Sequence, residues 1–291
     1  MTKQTLLMTG ATGLVGSRFV EMYDSKYDVH NADLTTGIDI TSRGSVAKFV
    51  SNYHADTLIH LAAFTNTAEA FKQQGDKTAI CYRVNVEGTR NIAEVCRKNN
   101  IHLVHISTDF VFDGVRPPEG GYTETTPRSP IGWYGETKAM AEEEVENSGA
   151  SATIVRISYP YRKSYELKPD IIKKILMGLE SGNLYPQFSD TTITPTLIDD
   201  IALGLDKVQE LKPQGIYHFV GSSILSPYAL AQKVASAFGY DRQLVKEGSL
   251  SKYLKTNPQP FAKYAGMSNT KASQELGIKF ATIDEGLAKI K

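Results

Sequence analysis

A chain of 291 residues, 41% hydrophobic and 22% charged, has the composition of a globular protein with one or two domains and a large core. Its 32 basic and 32 acidic side chains cancel, which excludes a global field that would recruit nucleic acid or an anionic membrane. No apolar run approaches the roughly 20 residues that cross a bilayer, and Leu6-Leu7-Met8 is too short for a signal-peptide core, so a cytoplasmic chain is expected.

In chain order, Gln4 to Thr9 reads as a first strand and Gly13 to Tyr23 as the helix after it. Tyr27 to Ala32 is a second strand, ending at Asp33, and Thr57 to Ala62 a third. A helix from about Asp76 to Lys98 carries both cysteines, Cys81 and Cys96, and two reduced, mostly buried thiols are expected over a structural disulfide. The strand His102 to Ser107 is followed by a Gly- and Pro-rich loop from Asp113 to Ser129. That loop leads into a helix with Ser129-Pro130 as cap and first-turn proline and Gly149 as its stop. Thr153 to Ile157 is the next strand, Ile216 to Val220 a late one, and Pro227 to Gly239 a late helix. Strands alternating with helices define an α/β fold with a doubly wound parallel sheet. The less regular second half predicts a smaller C-terminal lobe: residues 1–160 form the main domain with returns near 194–222, and 161–193 with 223–291 form the lobe. The six histidines show no metal-ligand spacing, so no metal is expected.

Gly10, Gly13 and Gly16, with Thr12, Leu14 and Val15 between them, lie where the first strand turns into the first helix. Phosphate can approach where side chains are absent, and a helix N-terminus offers free N–H donors, so the turn is a candidate cradle for a dinucleotide. An ordinary glycine-rich turn is the alternative. Asp33, seventeen positions after Gly16, can accept from ribose hydroxyls and repel a 2′-phosphate, a lean towards NAD(H) over NADP(H) that Arg18 partly offsets. Asp39 and Ile40 offer an acceptor and an apolar wall to adenine, and the small residues Ala62 and Ala63 let a cofactor lie against the backbone.

Thr108 follows a strand and so belongs at the carboxyl edge of the sheet, where ligands of open α/β sheets bind. Asp109 and Phe110 are next in line on the substrate side. Tyr134 and Lys138 share one helix face, four residues apart. A neighbouring ammonium draws a phenol towards working pH, where it can exchange a proton with a reacting oxygen, and the lysine can also hold a ribose. Tyr159, Tyr161, Arg162 and Lys163, just past the strand ending at Ile157, are the aromatic and cationic groups expected to meet substrate.

Four segments stand in a telling order: Thr9-Gly10-Ala11-Thr12-Gly13-Leu14-Val15-Gly16, Asn85-Val86-Glu87-Gly88-Thr89, Ser107-Thr108-Asp109 and Tyr134-Gly135-Glu136-Thr137-Lys138. Together they resemble the extended short-chain dehydrogenase/reductase family. The resemblance implies a Rossmann fold, catalytic roles for Thr108, Tyr134 and Lys138, and Asn85 near the cofactor. Ser107 to Gly114, Thr194-Pro195-Thr196 and Ile216-Tyr217-His218-Phe219 are most similar to that family's dTDP-4-dehydrorhamnose reductase branch. Related dehydratases carry a glutamate where this chain has Phe110, which argues against water elimination. Ser158-Tyr159-Pro160-Tyr161-Arg162 departs from the branch's usual Ser-Trp-x-Tyr-Gly.

The expectation is therefore an NAD(P)-dependent oxidoreductase that reduces a keto group of a nucleotide-activated sugar. The partner is that small molecule, with a homodimer as an open assembly and with neither nucleic acid nor membrane. A nucleotide-sugar epimerase, or a non-catalytic NAD(P)-binding subunit resembling that of methionine adenosyltransferase, are the alternatives.

Overall fold

The structure, a computed structural model, describes residues 3–115, 117–257 and 259–291. Strand β1 (Gln4–Thr9) places Leu6, Leu7 and Met8 at zero exposure and runs into helix α1 (Leu14–Tyr23). Strand β2 (Tyr27–Asn31) is followed by α2 (Arg43–Ser51), whose N-terminus is capped by the Ser42 hydroxyl. Then come β3 (Thr57–His60) and the short α3 (Thr67–Lys72). The single helix expected from Asp76 to Lys98 is instead broken. Asp76 accepts from the N–H and hydroxyl of Thr78 in a tight turn, α4 (Ile80–Tyr82) is brief, and a π-helical turn at Arg83–Gly88 precedes α5 (Thr89–Asn99). Asn100, at φ 54°, ends α5.

Strand β4 (His102–Thr108) is buried along its whole length. Helix α6 (Trp133–Asn147) starts three residues later than expected, with Gly132 as N-cap; Ser129-Pro130 lies ahead of the helix and does not cap it. After β5 (Ala152–Ile157) the chain forms β6 (Pro160–Tyr161), α7 (Ile171–Glu180), β7 (Gln187–Phe188), β8 (Thr196–Leu197) and α8 (Ile198–Leu211). It finishes with β9 (Gly215–Phe219), α9 (Pro227–Ala237), β10 (Glu247–Gly248), α10 (Leu250–Tyr253), α11 (Thr270–Leu276) and α12 (Ile283–Ile290).

The fold is α/β. Six strands form one sheet in the order β2-β1-β3-β4-β5-β9. The β1 pairings with β2 and β3, and the β3 pairing with β4, are parallel, with Leu6 opposite Val29 and Ile59 opposite both Met8 and Val104. The order reverses between β1 and β3, a switch point at whose carboxyl ends open sheets bind ligands. Both Gly10 and Ala62 fall there, one residue after β1 and two after β3.

The chain divides into two compact units. The first comprises Met1–Val111, Pro130–Arg156 and Ala202–Tyr217. Its core joins Leu7, Val46, Leu58, Ile92, Leu103 and Ile154 between sheet and helices. The second comprises Phe112–Ser129, Ile157–Ile201 and His218–Lys291. There α7, α9 and α12 pack Ile172, Ile175, Leu230, Val234 and Leu287 around Tyr161, beside the two-stranded pairs β6–β8 and β7–β10. Within it, Phe112 and Tyr122 stack with centroids 4.3 Å apart, and the Tyr122 hydroxyl donates to Asp113 at 2.6 Å. Cys81 and Cys96 are free and buried. Among the described residues no helix is long and apolar enough to cross a membrane, and no group of His, Cys, Asp and Glu could hold a metal ion.

Candidate active site

The glycine turn is built by close approach. Gly10 has φ 68°, and a Cβ there would stand 2.9 Å from the Ala62 nitrogen. A Cβ on Gly16 would strike the Gly10 carbonyl and the Ala11 backbone, so these two glycines serve the packing of α1 onto β1 and β3. Gly13 differs: its Cβ direction meets only the Gly10 carbonyl, at 3.2 Å. As N-cap of α1 it supplies no side-chain cap, which leaves the first-turn N–H groups of Leu14, Val15 and Gly16 to be satisfied from outside. An open glycine over an uncapped helix N-terminus fits the pyrophosphate of a dinucleotide.

Asp33 is held rigidly beside this turn. Its Oδ1 accepts from the Thr35 N–H at 2.8 Å and the Thr35 hydroxyl at 2.5 Å, and its Oδ2 from Asn31 at 2.5 Å and Thr12 at 3.3 Å. Burial alone would raise its pKa, but the bonds from Thr35, Asn31 and Thr12 outweigh it and keep the carboxyl below its ordinary value. Asn31 also accepts from the Ala11 N–H, so turn and carboxylate form one network. Asp39 is turned into its own loop, with Oδ1 taken by the N–H and hydroxyl of Thr41, both at 2.8 Å. Ile40 is buried, its side chain against Gly88, and contributes to the core more than to a surface wall. Ala62 and Ala63 are half-buried, and the Ala62 N–H donates to the Thr9 hydroxyl at 3.0 Å.

From Thr9 a continuous polar chain crosses the interior of this unit. The Thr9 hydroxyl meets His60 Nδ1 at 2.7 Å, His60 Nε2 meets the Thr89 hydroxyl at 3.1 Å, and that hydroxyl donates to the Asn85 carbonyl at 2.7 Å. Asn85 sits inside the π turn, whose widened backbone faces its side chain inward. Its Oδ1 accepts from the Phe64 N–H at 2.8 Å, and its Nδ2 donates to the Thr137 hydroxyl at 3.0 Å. Thr137, which the sequence reading did not single out, donates in turn to the Tyr134 carbonyl at 2.9 Å.

At the end of β4 the Thr108 hydroxyl donates to Asp109 Oδ1 at 2.9 Å and accepts from the Phe110 N–H at 3.3 Å. The Phe110 ring stands edge-on to Tyr134, centroids 5.3 Å apart, and is 37% exposed. Gly135, also overlooked in the sequence, explains how α6 comes this close: a Cβ there would collide with the Phe110 carbonyl. Lys138, one turn on and 2% exposed, donates to the Ile106 carbonyl at 2.7 Å and lies 3.3 Å from His105 Nε2. Burial lowers its pKa to about 8, against opposing pulls from Glu142 and Cys81. Glu142, one turn further, makes a bidentate pair with Arg156 on β5, at 2.9 and 2.7 Å with both side chains essentially unexposed.

The expected lowering of the tyrosine pKa is not what the structure contains. Burial pushes the Tyr134 phenol above its ordinary value, the Asp109 carboxylate adds to this, and the Thr108 hydrogen bond opposes it. The Lys138 ammonium is committed to Ile106 and His105, so desolvation dominates and the phenol stays protonated.

The provisional substrate residues past β5 lie in the second unit. Tyr159 is half-buried with φ 41°, a left-handed conformation uncommon for an aromatic residue. Tyr161 is corrected: at 1% exposure it is a core side chain whose hydroxyl abuts Gly286, with no face left for a ligand. The Arg162 N–H donates to Asp170 at 3.1 Å, with the guanidinium 5.8 Å from the Tyr165 ring centre, and exposed Lys163 donates to the Lys291 carbonyl at 2.9 Å.

Fold and site define an oxidoreductase of the extended short-chain dehydrogenase/reductase class. The sequence signature described as RmlD substrate binding domain matches residues 4–290, and the chain belongs to that family. It is 31% identical over 81% of its length to a dTDP-4-keto-6-deoxy-D-glucose reductase of Streptomyces niveus, covering 79% of that protein. It is 26% identical to the probable low-salt glycan biosynthesis reductase Agl14 of Haloferax volcanii, over 98% of this chain and 96% of that one. A crystal structure of a dTDP-4-dehydrorhamnose reductase from Bacillus anthracis, in complex with NADP, superposes with a TM-score of 0.87 at 26% identity, covering 100% of this chain and 98% of that one.

Proposed function

We propose that this protein is an NAD(H)-preferring reductase of a keto group on a nucleotide-activated sugar, a dTDP-4-keto-6-deoxy sugar of the kind its relatives are named for. The observation that carries the reading is geometric: Thr108 at the carboxyl end of β4, with Tyr134 and the buried Lys138 one turn apart on α6. Reduction of a ketone needs a proton donor, and a phenol that is still protonated at working pH carries that proton. A nicotinamide held there would supply the hydride that the carbonyl carbon receives. Tyr134 gives its proton to the carbonyl oxygen, Thr108 orients that oxygen, and Lys138 holds the nicotinamide ribose. Leu14, Val15 and Gly16 would hold the pyrophosphate from the first turn of α1, and Phe110, unable to carry a proton, argues against water elimination.

Asp33 supports the cofactor preference. Five protein hydrogen bonds fix its carboxylate, ionised, beside Thr12, so it cannot swing aside for a 2′-phosphate. Tyr159, Arg162 and Lys163 are the side chains we propose as contacts of the sugar nucleotide. No specific observation favours an epimerase or a non-catalytic subunit.

The test is purified protein with dTDP-4-dehydrorhamnose and either NADH or NADPH, following loss of the nicotinamide absorbance. Stoichiometric oxidation with a higher kcat/KM for NADH is expected. No oxidation across a panel of nucleotide-linked 4-ketosugars would remove the reductase, and a higher kcat/KM for NADPH would remove the preference.

A further inference from the structure

Behind Lys138 lies a histidine for which the chemistry above has no use. His105 is fully buried in β4 with its Nε2 3.3 Å from the lysine Nζ, while its Nδ1 has no hydrogen-bond partner among the described residues. Its neighbour His60, with ring centroids 5.3 Å apart, is fully accounted for. The Thr89 hydroxyl spends its proton on the Asn85 carbonyl and so accepts from His60 Nε2–H; the Thr9 hydroxyl, already accepting from Ala62, donates to His60 Nδ1. His60 is thereby a neutral Nε2–H tautomer with no spare capacity. For His105 the logic runs the other way. Facing an ammonium, Nε2 must present its lone pair, and the ring proton is forced onto the unpartnered Nδ1. A buried N–H left without an acceptor costs stability, and a leucine or phenylalanine would fill the space without it. What the histidine supplies instead is one charge-assisted acceptor for Lys138.

We propose that His105 is a positioning residue for Lys138: as the neutral Nδ1–H tautomer it accepts one ammonium hydrogen while the Ile106 carbonyl accepts a second, which aims the third at the ligand side. The assignment rests on Lys138 acting in the reductase site proposed above. The other titratable groups acting on this pair are Glu142 from α6, Cys81 from α4 and His60 from β3; burial opposes the charged lysine, and Glu142 and Cys81 favour it. The burial of His105 and its charged neighbour Lys138 keep the imidazole neutral well below its ordinary pKa. Removing the Nε2 acceptor strips one partner from a buried ammonium and shifts Lys138 towards its neutral form.

Two measurements decide it. The first is the pH dependence of kcat/KM in wild type, His105→Phe and His105→Gln. Phenylalanine fills the site without an acceptor, and the limb set by Lys138 should move to lower pH by about one unit, a roughly tenfold change in its ionisation equilibrium. Glutamine carries an amide oxygen and should bring that limb back towards wild type. A role in packing alone predicts lower melting temperatures with no displacement of the limb. Coincident limbs in wild type and His105→Phe, or equal displacement in both variants, overturns the proposal. The second is the ¹⁵N spectrum of the histidine rings in unmodified protein, which needs neither turnover nor a folded variant. His105 should remain the neutral Nδ1–H tautomer between pH 6 and 9, with its Nε2 resonance tracking the lysine titration; an Nε2–H tautomer, or protonation near the free-imidazole value, refutes it. If wild type turned over no ketosugar, the functional reading would fail on its own and the spectrum would still judge the tautomer.

Discussion

Lowering the pH from 7 to 5 asks three imidazoles in the first unit to ionise where they cannot. His60 is 1% exposed with both nitrogens bonded, and burial, reinforced by the Lys138 charge, lowers its pKa to about 3. His102 is held between the hydroxyls of Ser151 at 2.8 Å and Thr153 at 2.9 Å, and burial with a smaller effect from Lys212 lowers it to about 4. His105 falls well below its ordinary value for the reasons already given. Each unfolded imidazole binds a proton near pH 6.5 while its folded counterpart stays neutral, so the unfolded state gains protons as pH falls and native stability drops from about pH 6.5 down to about 4 for His102 and about 3 for His60. Linkage gives about 2 kcal/mol per histidine between pH 7 and 5, roughly 4–6 kcal/mol for the three. Carboxylates with lowered pKa, such as Glu210 at about 2, lose their stabilising contribution only below their own unfolded value and contribute little above pH 5. Urea unfolding at pH 7, 6 and 5 reads the effect directly, and His102→Gln should reduce the slope by about a third. Equal unfolding free energies at pH 7 and 5 would refute the placement of three neutral rings in this sheet.

Tyr134→Phe keeps the ring beside Phe110 and removes the proton; NADH affinity by fluorescence titration should be unchanged while kcat falls on the order of 10²–10⁴-fold. Gly13→Val and Gly16→Ala should separate cradle from packing: the first weakens NADH binding at least about tenfold, whereas the second lowers the melting temperature more, because its methyl would overlap the Gly10 carbonyl, from which a Cβ at position 13 stands 3.2 Å away. Arg156→Leu removes the bidentate cation from the buried Glu142 and should cost about 3–5 kcal/mol by urea unfolding, with less loss in the Arg156→Leu/Glu142→Leu double variant.

The main sheet was legible because buried parallel strands are continuous apolar runs, and Leu6-Leu7-Met8 or Leu58-Ile59 cannot be mistaken for surface. The placement of Thr108 at a strand end, and of Tyr134 and Lys138 one turn apart on a helix, could be read from spacing alone. What stayed hidden depends on three-dimensional neighbours. The break in the helix at Asp76–Thr78 and the π turn around Asn85 follow from local bonds that compete with helix, and periodicity registers neither. Tyr161 resembled a ligand contact among polar neighbours, yet it fills the core between α7, α9 and α12. The Tyr134 pKa was expected to fall because charge can be read from sequence and desolvation cannot. Arg156 and Glu142, fourteen positions apart, gave no sign of being a buried pair.

The junction of β4 and α6 leaves no room for a single methyl between residue 135 and the Phe110 carbonyl. That tolerance makes the backbone around the reacting groups a fixed jig, closed to gradual adjustment. The Phe110 side chain, part-exposed and leaning on the phenol, is under no such restriction. A lineage adapting to a new ketone would therefore retool the ring at 110 and keep the glycine at 135, and a library randomised at both positions should return many functional residues at the first and one at the second.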